Sequence, residues 1–251
     1  MKKLIVAMAV AAAANAFALQ GTVSTETESF SGDVKWHPRD KKYVIEKGKI
    51  TKEFKLVDVT ALDIPKPATF DRAVSQVEAG QGTAAIPALL KIVTDYRMLQ
   101  WDKPAGRYLA LAYIAANQPQ KALDVCQPII AEDKTAAYSG DLAFAYWQAL
   151  LKLGKTTQLE KHLKEAATKG DRAASAAALV MRGDIIVSGS SDKPDELKRS
   201  LYDGYLRVVL MYPEPECARE RSDAMLKAAA VFDKLSQPGR AEKLRAQAKS
   251  I

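Results

Sequence analysis

The chain has 251 residues, with 37 Lys and Arg against 30 Asp and Glu, a formal charge of +7, two Cys and two His. An apolar content of 48% excludes wholesale disorder. Two cysteines exclude a disulfide-stapled mini-fold, and two histidines leave little material for a metal centre or a His-based catalytic site. Met1-Lys2-Lys3 opens the chain with positive charge, and Leu4 to Ala14 is an unbroken apolar run. Asn15-Ala16-Phe17-Ala18 then sets two alanines ahead of a cleavage point. Those three zones are the layout of a secretory signal peptide, so residues 1–18 are expected to be removed and the mature chain exported, periplasmic or secreted. The run is shorter than the roughly 20 residues a membrane span needs, and no later stretch is long and apolar enough to span. Without Lys2 and Lys3 the charge falls to +5. The rest is diluted: residues 19–66 hold nine basic and eight acidic side chains, and residues 67–251 hold 26 and 22. A nucleic-acid binder concentrates its basic residues in a stripe with interleaved aromatics, which this chain lacks.

Residues 22 to 64 read as short strands. Val34 and Trp36 alternate with Asp33 and Lys35, Tyr43-Val44-Ile45 is a β-favouring run, and Ile50, Phe54 and Leu56 alternate with polar partners. Val57, Val59, Leu62 and Ile64 continue the pattern. Gly32, His37-Pro38-Arg39-Asp40 and Lys47-Gly48-Lys49 read as breaks, the last a hairpin turn. Four or five strands in this length predict a small antiparallel β module over residues 19–66, which resembles SH3- or Sm-like barrels and implies no activity. Ile64-Pro65-Lys66-Pro67 is the boundary, because proline neither extends a ladder nor lets its predecessor enter a helix.

From residue 67 to 251 the period changes to three and four. Phe70, Ala73, Val74 and Val77 share a face, as do Ile86, Leu89, Leu90 and Val93, and again Leu109, Ala112, Tyr113 and Ala116. Breaks recur at Gly80-Gln81-Gly82, Asn117-Gln118-Pro119, Gly154-Lys155, Gly189-Ser190-Ser191 and Gln237-Pro238-Gly239. Pro104, Pro119, Pro194 and Pro238 fit the first turn of a following helix, where a missing N–H costs nothing. An apolar residue a few positions after each break, Ala85, Ala122, Leu159, Leu197 and Ala241, recurs at intervals of 37, 37, 38 and 44 residues. Such a period with paired helices predicts an α-solenoid of about five pairs, each burying a stripe against its neighbours.

The unit Tyr108-Leu109-Ala110-Leu111-Ala112-Tyr113, with Asn117-Gln118-Pro119-Gln120-Lys121-Ala122-Leu123, resembles the tetratricopeptide repeat: a small residue in the first helix, an aromatic three later, a polar turn, and an alanine early in the second helix. Ala229, Phe232 and Ala241 repeat it; Trp147, Leu150 and Leu159 keep the spacing with larger residues; Gln76 and Ser188 stand where other units have the aromatic. The stretch Tyr202 to Glu216 is similar to exported repeat proteins of envelope assembly. The resemblance implies that Ala110, Tyr113, Ala122, Ala229, Phe232 and Ala241 are core. It also implies a groove along the first helices that holds a protein or peptide, with Arg107, Tyr108, Leu111 and Ile114, then Asp141, Phe144, Gln148 and Lys152, as partner-binding residues.

Chemistry beyond binding finds little support. His37 and His162 lack any metal-ligand spacing, and the glycine-rich nucleotide motifs and GxSxG are absent, so no cofactor or metal is expected. Cys126 and Cys217 lie on apolar helical stretches 91 residues apart and are expected as buried thiols. The expectation is therefore a non-enzymatic exported scaffold that binds a protein partner in the cell envelope. The rivals are an envelope enzyme acting on glycans and a self-assembling structural component. In the second, the terminal helix around Leu235 and Leu244 caps or pairs, and a homo-oligomer stays open.

Overall fold

A computed structural model describes residues 19–251 apart from residue 191. The expected signal peptide lies outside the described residues. Two compact units meet in sequence between Pro65 and Lys66.

The first unit is a five-stranded antiparallel sheet of β1 (Leu19–Thr25), β2 (Ser29–His37), β3 (Lys42–Lys47), β4 (Ile50–Lys55) and β5 (Val59–Asp63). The order is β4-β3-β2-β1-β5, so the chain meanders outward and β5 returns to pair with β1. A short 3-10 turn, Leu56–Asp58, lets it leave β4. Alternation decides the faces. Val23, Val34, Trp36, Tyr43, Ile45 and Phe54 are buried. Trp36 stands opposite Tyr43, with ring centroids 4.8 Å apart, and Tyr43 opposite Phe54. Lys35 pairs with Glu46 at 2.8 Å and Lys42 with Glu53 at 2.9 Å on the wet side. Gly48, at φ +61°, is the first central residue of the two-residue β3–β4 turn, a position that needs positive φ. Gly32 is not a break. It lies inside β2, where a Cβ would stand 3.0 Å from the Glu46 carbonyl carbon, so the residue serves strand approach rather than a turn. The sheet also begins earlier than expected, because the Leu19–Thr25 strand is central and pairs on both sides.

The second unit contains five helix pairs among the described residues: α1 (Phe70–Glu78) with α2 (Gly82–Asp95), α3 (Asp102–Ala115) with α4 (Pro119–Glu132), and α5 (Asp141–Lys152) with α6 (Thr156–Lys169). Then α7 (Arg172–Gly189) is followed by α8 (Pro194–Ser200), which runs through a π turn, Leu201–Tyr205, into α9 (Leu206–Met211). α10 (Ala218–Lys234) and α11 (Pro238–Ala248) close the unit.

Four of the five pairs share one turn. Gly80, Asn117, Gly154 and Ser236 each adopt left-handed backbone, at φ +76°, +56°, +66° and +58°. After each, the next N–H reaches five residues back: Gln81 to Gln76, Gln118 to Tyr113, Lys155 to Leu150 and Gln237 to Phe232, at 2.8 to 2.9 Å. The left-handed residue's own N–H bonds the carbonyl three residues before it. This is the Schellman arrangement, which satisfies the carbonyls orphaned at a helix end and reverses the chain in two residues. Most residues aligned by the repeat are core: Ala110, Ala122, Trp147, Leu150, Leu159, Ala229 and Ala241 are 0% exposed and Phe232 is 7%, whereas Tyr113, expected as core, is only half-buried, with Lys121 over its ring. Cys126 and Cys217 are buried free thiols in separate apolar clusters. Burial pushes the Cys126 thiol up to about 12.

Two expectations are corrected. Leu90 does not share the buried face of α2; it is 47% exposed, while Ala85, Leu89 and Ile92 carry that face. Leu244 is not an exposed apolar residue on the terminal helix, for it is 9% exposed and packs with Phe232 and Ala241, leaving α11 with an outer face of Arg240, Glu242, Lys243 and Arg245.

Candidate functional site

The first helices of successive pairs, α3, α5, α7 and α10, bring the expected partner-binding residues together in part. Arg107 Nη1 donates to Asp141 Oδ2 at 2.9 Å, linking α3 to α5, and Arg219 of α10 lies 3.6 Å from the other oxygen of Asp141. The Arg107 guanidinium also stacks on the Tyr108 ring at 4.9 Å. Tyr108 itself packs edge-on to Phe70 and donates to Glu78 at 3.4 Å, so it belongs to the first pair's contact. Leu111 and Ile114 are half-buried against the central core, which makes them packing residues as much as surface. Lys152 is exposed at the end of α5.

Phe144 and Gln148 line a groove of about 370 Å³ between α5, α7 and α10. Its apolar lining is Phe144, Trp147, Ala177, Val180 and Met181; its polar lining is Gln148, Asp184, Arg219, Glu220, Asp223 and Lys227. Phe144 is held against Trp147, ring centroids 5.5 Å apart, and Trp147 Nε1 donates to the Ala137 carbonyl at 2.9 Å, so the ring at the groove is fixed from below.

The charges are built in from several elements. Lys227 Nζ donates to Asp184 Oδ2 at 2.7 Å and lies 3.0 Å from Asp223. Burial opposes the Lys227 charge, but Asp184 and Asp223 outweigh it and hold the ammonium above the ordinary lysine value. Tyr205 Oη, from the π turn, donates to Asp184 Oδ1 at 2.7 Å. The Tyr205 ring stands over Gly183, where a Cβ would come within 2.5 Å of the ring, so Gly183 is what lets Tyr205 reach Asp184. Glu220 differs. It is 7% exposed and makes no ion pair among the described residues. Burial raises this carboxyl above the usual range, Asp141 and Asp223 add to the rise, and Arg219 opposes it.

Asp184, Arg219, Glu220, Asp223 and Lys227 escape the sequence reading, for two reasons. Lys227 occupies in α10 the position that Tyr108 occupies in α3, counted back from Ala229 and Ala110, so that signal was present. Arg219 and Glu220 lie in an extra turn at the start of α10 that α1, α3 and α5 lack. On α7 the longer loop after Gly189 breaks the spacing. Counting back from Leu197 selects Arg182, which faces a cleft of about 530 Å³ between α6, α7 and α8, away from the groove.

No family model matches the chain, and no curated protein matches it. Two crystal structures of nearly identical TPR-like repeats, assigned to a kinesin light chain of Podosopora anserina and one of them a point variant, align with 73% of this chain and 92% of theirs at 15% identity, with TM-scores of 0.45 and 0.44. The repeat character of this chain rests on its own four equivalent turns and their shared core positions. No helix among the described residues is long and apolar enough to cross a membrane.

Proposed function

We propose that this chain is an exported, non-enzymatic scaffold that holds a protein or peptide partner in the groove between α5, α7 and α10, within the cell envelope. The supporting observation is the groove itself. It joins a fixed aromatic, Phe144, and aliphatic side chains to a ring of oriented charges, the composition of a binding hot spot surrounded by a polar rim. Export is supported by the three-zone amino terminus. The test places a photo-crosslinking amino acid at Gln148 and, as control, at Lys243 on the outer face of α11. A partner captured at position 148 alone, whose reconstituted binding falls at least tenfold in Phe144→Ala, is the expected result; equal capture at both positions sinks the groove. Edman sequencing of the protein recovered from the envelope is expected to begin near Leu19.

One observation favours a second reading, an envelope enzyme acting on glycans. A carboxyl raised by burial, Glu220, shares a cleft with the cation-anchored Asp184 and Asp223, and acid–base pairs are made by such a contrast. Release of reducing ends from a glycan by the wild type, lost in Glu220→Gln, is the outcome that selects it.

A further inference from the structure

Resting on the groove reading, we infer that the partner segment is anchored by a lysine or arginine whose cation meets Glu220, and whose aliphatic stem and apolar neighbour lie on Phe144, Val180 and Met181.

The charges of the groove leave one place for a cation. Asp184 and Asp223 share Lys227, at 2.7 and 3.0 Å. Asp141, at the rim, stands between Arg107 and Arg219, at 2.9 and 3.6 Å. Glu220 alone has no cation at ion-pair distance among the described residues, although it is more than nine-tenths buried and lines the groove. A carboxylate in a largely buried residue, with no cation beside it, gains a charge-assisted pair when a ligand cation docks there. The chemistry next to it suits a side chain that is apolar along its stem and charged at its tip, since Phe144, Val180 and Met181 line the same groove. An acidic segment meets three carboxylates, Asp184, Glu220 and Asp223, while the groove's two cations, Arg219 and Lys227, already lie beside Asp141, Asp184 and Asp223, so it is disfavoured. A wholly apolar segment leaves Glu220 buried without a partner.

The test uses the full chain and an array of random ten-residue peptides, followed by fluorescence anisotropy on those retained. The inference predicts retained peptides enriched in Arg or Lys beside Leu, Ile, Val or Met. Replacing that arginine by citrulline, which keeps the size and removes the charge, is predicted to weaken binding at least tenfold. Glu220→Gln is predicted to weaken the arginine peptide by the same factor and the citrulline peptide less than twofold. If Glu220→Gln does not fold, the citrulline comparison decides alone. Arginine and citrulline peptides that bind equally, with both lost in Phe144→Ala, overturn this inference and leave the groove standing. An array with no retained peptide, or binding indifferent to Phe144→Ala, overturns the groove and the inference together.

Discussion

The first three helix pairs and the last two solve one packing problem with different local structure. Through α1 to α6 the left-handed turn residues Gly80, Asn117 and Gly154 fall 37 residues apart, and alanines such as Ala110 and Ala122 set the helix approach. Beyond them α7 runs to 18 residues against 12 for α5, its loop abandons the shared turn, and α8 reaches α9 through a π turn. There the approach is set by glycines: a Cβ on Gly204 would stand 2.8 Å from the Gly183 backbone. The irregular half seats Asp184, Glu220, Asp223 and Lys227 together. Departures from a repeat of this kind gather where a site is built, since a π turn re-aims side chains that a continuous helix would leave in register.

If that comparison is right, the same substitution should behave differently in the two halves. Gly204→Ala drives a Cβ into backbone that cannot give, at a cost of about 3 kcal/mol from overpacking. Gly106→Ala, in α3, crowds the Cδ1 end of Ile129 at 2.6 Å and touches the side-chain ends of Leu142 and Val125 at 3.4 and 3.9 Å, and alanine's helix propensity returns about 1 kcal/mol, so it should be close to neutral. Urea unfolding measures both; equal losses would erase the distinction.

The next effect is at the junction of the halves. Asp171 caps α7, accepting from the Ala174 N–H at 2.7 Å, and also accepts from the Ser139 hydroxyl at 2.7 Å and the Gly140 N–H at 3.3 Å, which ties it to the start of α5. Burial opposes its charge, but these hydrogen bonds outweigh it and hold the carboxyl below the usual value of 3.8. Asp171→Ala should cost about 1–2 kcal/mol at pH 7. A lowered carboxyl contributes stability above its unfolded value, and that part is lost as pH falls through the lower folded value. The gap between wild type and variant should therefore narrow below about pH 3.8.

Glu220 should show the opposite slope. Its carboxyl is raised by burial, so the folded chain keeps a proton that the unfolded chain has already released. Stability is then lost as pH rises from about 4.5 through the raised value. Glu220→Gln removes that loss, and without ligand it should melt higher than wild type at pH 8 and approach it near pH 4.5. A variant that melts lower at pH 8 would show that the groove already satisfies this carboxylate.

The fold was legible where the physics is local. Gly48 announces its hairpin, the alternation of Val34 and Trp36 fixes a strand face, and the spacing of Ala85, Ala122 and Leu159 reports helix pairs because each turn takes two residues of the same backbone shape. The site was legible in part. Phe144 and Gln148 follow from the repeat offset and do line the groove, whereas Leu111 and Ile114 have the same offset logic but are drawn into the core. Asp184 was hidden because a longer loop shifts α7, and Glu220 because an added helical turn has no counterpart in α1, α3 or α5. Nor does sequence tell Gly32, needed for close strand approach, from a glycine that turns the chain.

The smallest effect asks whether the four shared turns are equivalent in energy as well as shape. Ser236 carries a Cβ in the left-handed region at φ +58°, a conformation that costs about 1–2 kcal/mol for an ordinary residue, whereas Gly154 holds it at +66° without that cost. Glycine also enlarges the freedom of the unfolded chain, which takes back roughly 0.4–1 kcal/mol. Ser236→Gly should thus gain only about 0.5 kcal/mol and Gly154→Ser lose about as much. Opposite signs of similar size would mean that the turn between α10 and α11 does the same work as the one between α5 and α6, so the irregularity of the second half is confined to α7, α8 and the π turn. A loss in Ser236→Gly would extend it to the last pair, because the serine side chain would then be contributing a contact that the other three turns lack.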